Sequence, residues 1–100
     1  MLGGIASTSV HFVWDPKKAN ANETKHAVAF AEATMVFADP FAVTFPDPDH
    51  SLYEHRYITV GMSDAGRILI VSHTDREGDV RIISARKTTR SERKFYEEGT

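Results

Sequence analysis

Three segments rich in β-branched residues, "HRYITVGM" (55–62), "RILIVSHT" (67–74) and "VRIISAR" (80–86), follow one another with only "SDAG" and "DREGD" between them. Connections this short, carrying glycine and aspartate, cannot hold a crossover helix. Consecutive strands must therefore fold back as antiparallel hairpins. This meander constrains everything else in a 100-residue chain, which has material for one domain and one core.

Upstream, "VHFVW" (10–14) alternates Val10, Phe12 and Trp14 and predicts a half-buried strand. Asp15 caps and Pro16 opens a first helix over 16–26. A second helix begins near Ala29, with Phe30, Ala33, Thr34 and Phe37 at helical spacing, and "DP" at 39–40 ends it. "FAVTF" (41–45) predicts a short strand, and the prolines of "PDPDHSLYE" forbid regular pairing after it. Downstream, Thr89 and Glu92 form a capping-box pattern that opens a last helix, ending at Glu98 with Gly99 beyond. The order predicts an α+β domain: an antiparallel sheet of four to five strands, two N-terminal helices and one C-terminal helix, with the helices against one face. Residues 1–9 read as a disordered leader or a remnant foreign to the domain, and residues 10–100 as a single unit.

Charge divides the chain. Residues 1–50 carry three basic and six acidic side chains, residues 51–100 nine and eight, for a net charge of −2. Arg86, Lys87, Arg90, Arg93 and Lys94 fall within nine residues, opposed only by Glu92. A chain that is acidic overall does not bind duplexes tightly without specificity, but a local phosphate contact fits this cluster. No apolar run approaches the ~20 residues of a membrane span, and the absence of cysteine removes disulfides, thiolate metal sites and thiol nucleophiles. These features fit a cytoplasmic protein. No cofactor is expected, because glycine-rich phosphate loops and nucleophile elbows are missing. The histidines and carboxylates around "PDPDH" have no spacing that fixes a metal geometry.

Several cations remain as candidates, each with two readings. Arg86 ends a strand on whose face Ile82 and Ser84 are expected, and a guanidinium held there suits either bidentate phosphate recognition or a salt bridge. Lys25 and His26 close the first helix, where the dipole favours cations and where they could also move protons. His73 shares a face with Arg67, Leu69 and Val71 and is either packed or catalytic. Arg56 is a surface ion pair or an anion contact, while Tyr57 packs on the other face. On the last helix Arg90, Arg93 and Lys94 form a stripe, solvated or functional, with Phe95 and Tyr96 docking the opposite side.

Read in order, "FVWDPKKANANETKHAVAFAEATMVFADP", "HRYITVGMSDAGRILIVSHT" and "VRIISARKTTRSERKFYEE" resemble the BrnT family of bacterial toxins from about Phe12 to Gly99. The family usually carries glycine after its Lys-His pair; here Ala27 follows. The resemblance implies a RelE-like fold and a metal-independent ribonuclease that arrests translation. It also implies a ribbon-helix-helix antitoxin of the BrnA type, with a dimer or 2:2 heterotetramer that touches promoter DNA only through the antitoxin. On this reading Lys25, His26, Arg56, His73 and Arg86 serve catalysis, while Arg67, Arg90, Arg93, Lys94 and Tyr96 border RNA or antitoxin. The rival expectation is a catalytically inactive scaffold that acts only by binding its partner.

Overall fold

The short turns do close the β-branched segments into a meander. The structure, a computed structural model, describes residues 10–49 and 55–99; the expected leader and most of the loop after Asp49 lie outside the described residues. Strand β1 (Phe12–Val13) leads into helix α1 (Pro16–His26), then α2 (Phe30–Met35), which tightens into a 3₁₀ turn over Val36–Ala38. Strands β2 (Val43–Pro46), β3 (Arg56–Met62), β4 (Ile68–Arg76) and β5 (Asp79–Lys87) follow, then helix α3 (Arg90–Glu98). The sheet order is β1-β5-β4-β3-β2.

Local chemistry sets these limits. Asp15 accepts the Lys17 N–H at 2.8 Å to cap α1. Asp39 Oδ1 accepts the Phe41 N–H at 2.9 Å, and this turn delays β2 past the expected Phe41 start. Pro46 is tolerated in β2 because that strand is an edge.

Two expectations are corrected. The sheet is mixed, since β1 pairs parallel with β5 (Phe12↔Val80, Val13↔Arg81). The helices also occupy both faces. Val28, Phe30, Ala33 and Val36 pack on Leu69, Val71, Ile82 and Ala85, whereas Tyr96 of α3 packs on Val60, Ile68 and Ile70 of the opposite face. Gly61 lies where a Cβ would stand 3.0 Å from Val36 Cβ, so only glycine lets the 3₁₀ turn press this closely on β3.

A register shift between Ser72 and His73 supplies the third correction. Ser84 pairs with Ser72 but Ile82 pairs with His73, leaving Ile83 as an extra residue in β5. One inserted residue reverses the alternation beyond it. Ile82 and Ala85 consequently share the core, and Arg86, opposite Ile70, emerges on the α3 face instead of sharing a face with Ile82.

Helix α1 buries one side chain, Asn22. Its amide donates to Val28 O at 3.0 Å and Ala85 O at 2.8 Å, and its Oδ1 accepts the Ala85 N–H at 3.1 Å. Asn22 thus serves β5 where β1 is too short to pair with it.

The α1 C-cap is Ala27 at φ 59°, ψ 34°, in the left-handed region. Its N–H bonds Glu23 O at 2.9 Å, so the turn survives without glycine at the cost of strain. Ala27→Gly should raise stability by about 0.5–1 kcal/mol after the entropy glycine adds to the unfolded chain. Denaturant titration checks this; a loss of stability would show that the position is unstrained.

Candidate nucleic-acid interface

The basic exit from β5 becomes a surface. A cleft of about 400 Å³ opens where β4 starts and β5 ends, lined by Gly66, Arg67, Ile68, Lys87, Thr88, Thr89, Arg90 and Arg93. Four cations and no carboxylate line it. Arg67 is already engaged: its Nε donates to Glu32 Oε2 at 2.9 Å, its Nη2 to Ala27 O at 3.1 Å, and Nη2 also pairs closely with Glu32 Oε1. Those hydrogen bonds outweigh burial and hold the Glu32 carboxyl below its usual range. Arg93 pairs with Glu97 at 3.1 Å and Lys94 approaches Glu98 at 3.9 Å, both on the exposed side of α3. Among the described residues Lys87 and Arg90 have no ion-pair partner. They are the cleft's available charges.

Arg86 stands beside this cleft on the α3 face. Its guanidinium holds both oxygens of Glu92, Nη1 to Oε1 at 2.8 Å and Nη2 to Oε2 at 2.9 Å. Bonding to Arg86, against the effect of burial, brings the Glu92 carboxyl down to about 2, so the pair stays ionised through the neutral range. Glu92 serves α3 as well, because its Oε1 also accepts the Thr89 N–H at 2.9 Å in the expected capping box. By strand alternation Arg56 emerges on the same face as Ile58 and Val60, hence the same face as Arg86. Four residues of strand, roughly 13 Å, separate its row from that of Arg86.

Lys25 and His26 lie elsewhere. With Lys18, Asn22, Ile83 and Ser84 they line a shallow depression of about 230 Å³ along β5, beside the bulge. Ser84 is two residues before Arg86, ~7 Å along the strand, so this depression and the Arg86 face adjoin the same stretch of β5.

His73 is corrected. Only 5% exposed, it lies on the face opposite Arg86 with Phe37 edge-on at 4.8 Å and Tyr57 stacked at 5.9 Å. Its Nε2 meets Thr59 Oγ1 at 2.7 Å, and Thr59 meets Thr44 Oγ1 at 2.7 Å. Its Nδ1 has no partner among the described residues. The tautomer with Nε2–H leaves a bare lone pair, which costs less than a stranded N–H. Burial, opposed by the charge of Asp75, pulls its pKa below the usual value. The unfolded chain therefore binds more protons than the folded one in the window just below pH 6.5. Stability is full above that point and falls as pH drops through the window. His73→Gln should flatten this limb in denaturant titrations at stepped pH; an unchanged limb assigns it to another group.

Tyr96 is likewise a structural residue, 7% exposed. Its hydroxyl donates to Asp39 Oδ2 at 2.5 Å, and Asp39 Oδ2 also accepts the Met62 N–H at 2.8 Å. Burial first, then the bond to Asp39, pushes the Tyr96 phenol up to about 12. Its neighbour Phe95, expected to help dock α3, is 56% exposed.

A carboxylate-free cleft thus stands beside a sheet face that α3 partly covers. On that face Arg86 shares a pocket with Asp47, Asp49 and Glu92. Together they define a small α+β domain with its basic surface confined to one place. A family profile describing BrnT, the ribonuclease toxin of type II toxin-antitoxin systems, matches residues 14–92. The chain belongs to the BrnT family of ribonuclease toxins. The fold is shared with the crystal structure of the Brucella abortus ribonuclease toxin BrnT: 21% identity, coverage of 82% of this chain and 100% of that one, and a TM-score of 0.65. No curated protein sequence matches the chain. Membership implies RNA as substrate and an antitoxin as partner. No helix among the described residues is long and apolar enough to cross a membrane.

Proposed function

We propose that this chain cleaves RNA without a metal ion and thereby arrests translation in the cytoplasm. A BrnA-type ribbon-helix-helix antitoxin neutralises it in a dimer or 2:2 heterotetramer, which touches promoter DNA only through the antitoxin. One observation carries the reading: Lys87 and Arg90, unpaired among the described residues, line a cleft beside Arg86. Among the described residues no three His, Asp or Glu side chains gather as metal ligands, and the proposed chemistry places the phosphate's charge on guanidinium groups.

In this mechanism the RNA backbone runs from the Lys87–Arg90 cleft onto the Arg86 face. Arg86 receives the non-bridging oxygens of the scissile phosphate as the 2′-oxygen attacks, and Arg56 holds a more distant phosphate. As the 2′-oxygen bonds phosphorus, the bond to the 5′-oxygen breaks and leaves a 2′,3′-cyclic phosphate. One proton leaves the 2′-OH and one reaches the 5′-oxygen; Lys25 and His26, beside β5, are the groups assigned to these two transfers. The requirement for a 2′-OH restricts cleavage to RNA.

The test is binding and cleavage by the purified chain in EDTA. Cleavage should persist there. Lys87→Gln with Arg90→Gln should weaken single-strand binding and make the salt dependence shallower, by about 0.7 in the log–log slope for each phosphate that is no longer neutralised. Cleavage abolished by EDTA would defeat the metal-free step, and an unchanged slope would remove the cleft from the RNA path.

A further inference from the structure

A guanidinium has five N–H donors, and only part of the Arg86 set is engaged. Nη1 and Nη2 hold Glu92 end-on, and Nη1 also donates to Lys87 O at 3.2 Å. Allowing one hydrogen for each bond, Nε–H and the second hydrogen of Nη2 have no acceptor among the described residues. In the planar group these two lie side by side, forming a second fork with the spacing of two phosphate oxygens. The side chain is 40% exposed and borders an open pocket of about 360 Å³, which Asp47 and Asp49 also line.

Glu92 is itself immobilised. Its N–H donates to Thr89 Oγ1 at 3.3 Å while its Oε1 accepts from Thr89 N at 2.9 Å. One turn on, Tyr96 anchors α3 through Asp39.

We propose that Glu92 is a positioning residue, holding Arg86 end-on so that its side-on fork receives a phosphodiester of the RNA. This rests on the ribonuclease reading above and adds to it what fixes the arginine. Charge and geometry make opposite claims about Glu92. As a negative charge it repels a phosphate, so its removal would tighten binding. As a clamp it spares Arg86 the rotamer freedom that a loose arginine loses on binding. Solvent screening at this exposure weakens the repulsion, although the two forks share Nη2 and so lie on adjoining sides of the guanidinium. The clamp prevails.

A 2′-O-methyl oligonucleotide lacks the attacking hydroxyl and reports binding without cleavage. Its affinity is measured for the parent, Glu92→Gln, Arg86→Lys and the double variant, with thermal unfolding followed for each. Glu92→Gln should weaken binding about fivefold in the parent and add nothing in the Arg86→Lys background. The Arg86 Nε–H resonance should shift on titration. Glu92→Asp keeps the charge but shortens the reach, so it too should bind less tightly, and it carries the test if Glu92→Gln does not fold. Equal losses in both backgrounds would make Glu92 only a helix cap. Tighter or unchanged binding would mean that it quenches Arg86 or leaves it alone. Each of these overturns the proposal while the ribonuclease reading stands. A parent that neither binds this oligonucleotide nor cleaves RNA overturns both.

Discussion

Arg86→Ala should lower RNA cleavage by about 10²–10³-fold, the usual loss when one fixed donor to a developing oxyanion is removed. The effect belongs in kcat more than in KM, because Lys87, Arg90 and Arg56 still gather the backbone while the scissile phosphate loses its donor. Arg86→Lys should recover little, since an ammonium cannot hold Glu92 and a phosphate through two forks. Folding should hardly change. The Arg86–Glu92 pair is 40% and 33% exposed, and partly exposed pairs contribute about 1 kcal/mol or less. Single-turnover cleavage with thermal unfolding measured alongside separates the two effects. Undiminished cleavage by a folded Arg86→Ala protein would take Arg86 out of the chemistry.

Asn22→Asp should cost about 3 kcal/mol of stability, a large effect for so small a chemical change. The side chain is 7% exposed and serves three backbone groups, two of which accept from its amide. A carboxylate would face the Val28 and Ala85 carbonyls with no hydrogen to offer, and each broken bond leaves a buried group unsatisfied. For a domain of this size the midpoint should fall by roughly 15 °C. The sign of the pH dependence is distinctive. Burial against carbonyls raises the folded-state pKa of the new carboxyl above its unfolded value, so the penalty grows as pH rises through that window and shrinks as pH falls. A midpoint within a few degrees of the parent would show that α1 is not held by this residue. Because Lys25 and His26 sit in the next turn, cleavage should drop alongside stability.

Much of the fold is legible in the sequence because its signals are local. The Asp15–Pro16 start, the Thr89–Glu92 box and the Gly66 and Gly78 turns need only neighbouring residues, and each stands where the pattern predicts. Non-local facts are not readable in this way. The parallel pairing of Phe12 and Val13 with β5 joins residues almost seventy positions apart. Nothing in "RIISAR" announces an extra residue at Ile83, so plain alternation puts Arg86 on the wrong face, that of Ile82. The role of Asn22 is hidden because an asparagine inside a polar helix looks solvated. The candidate site shows the same division. Arg86 is legible as a cation fixed by a strand, and of the two readings of His73 the packed one matches its burial. The seating of Lys25 and His26 beside β5 depends on how α1 docks, which no short stretch encodes. Glu92 carries a usable signal: a capping-box glutamate six residues after a strand-end arginine lies within its reach once the chain turns.

The odd residue in β5 places a rule of parity on this part of the chain. Deleting one residue between Ile82 and Ala85 would restore strict alternation without turning Arg86: Ile82 and Ala85 would still face the core, and the guanidinium would still emerge on the α3 face. Removing two would set Arg86 on the face of Ile82, beneath α1 and α2, and turn Ala85 outward. Length here is counted in odd and even, and a relative of this chain that lacks the odd residue alone should keep its arginine outward.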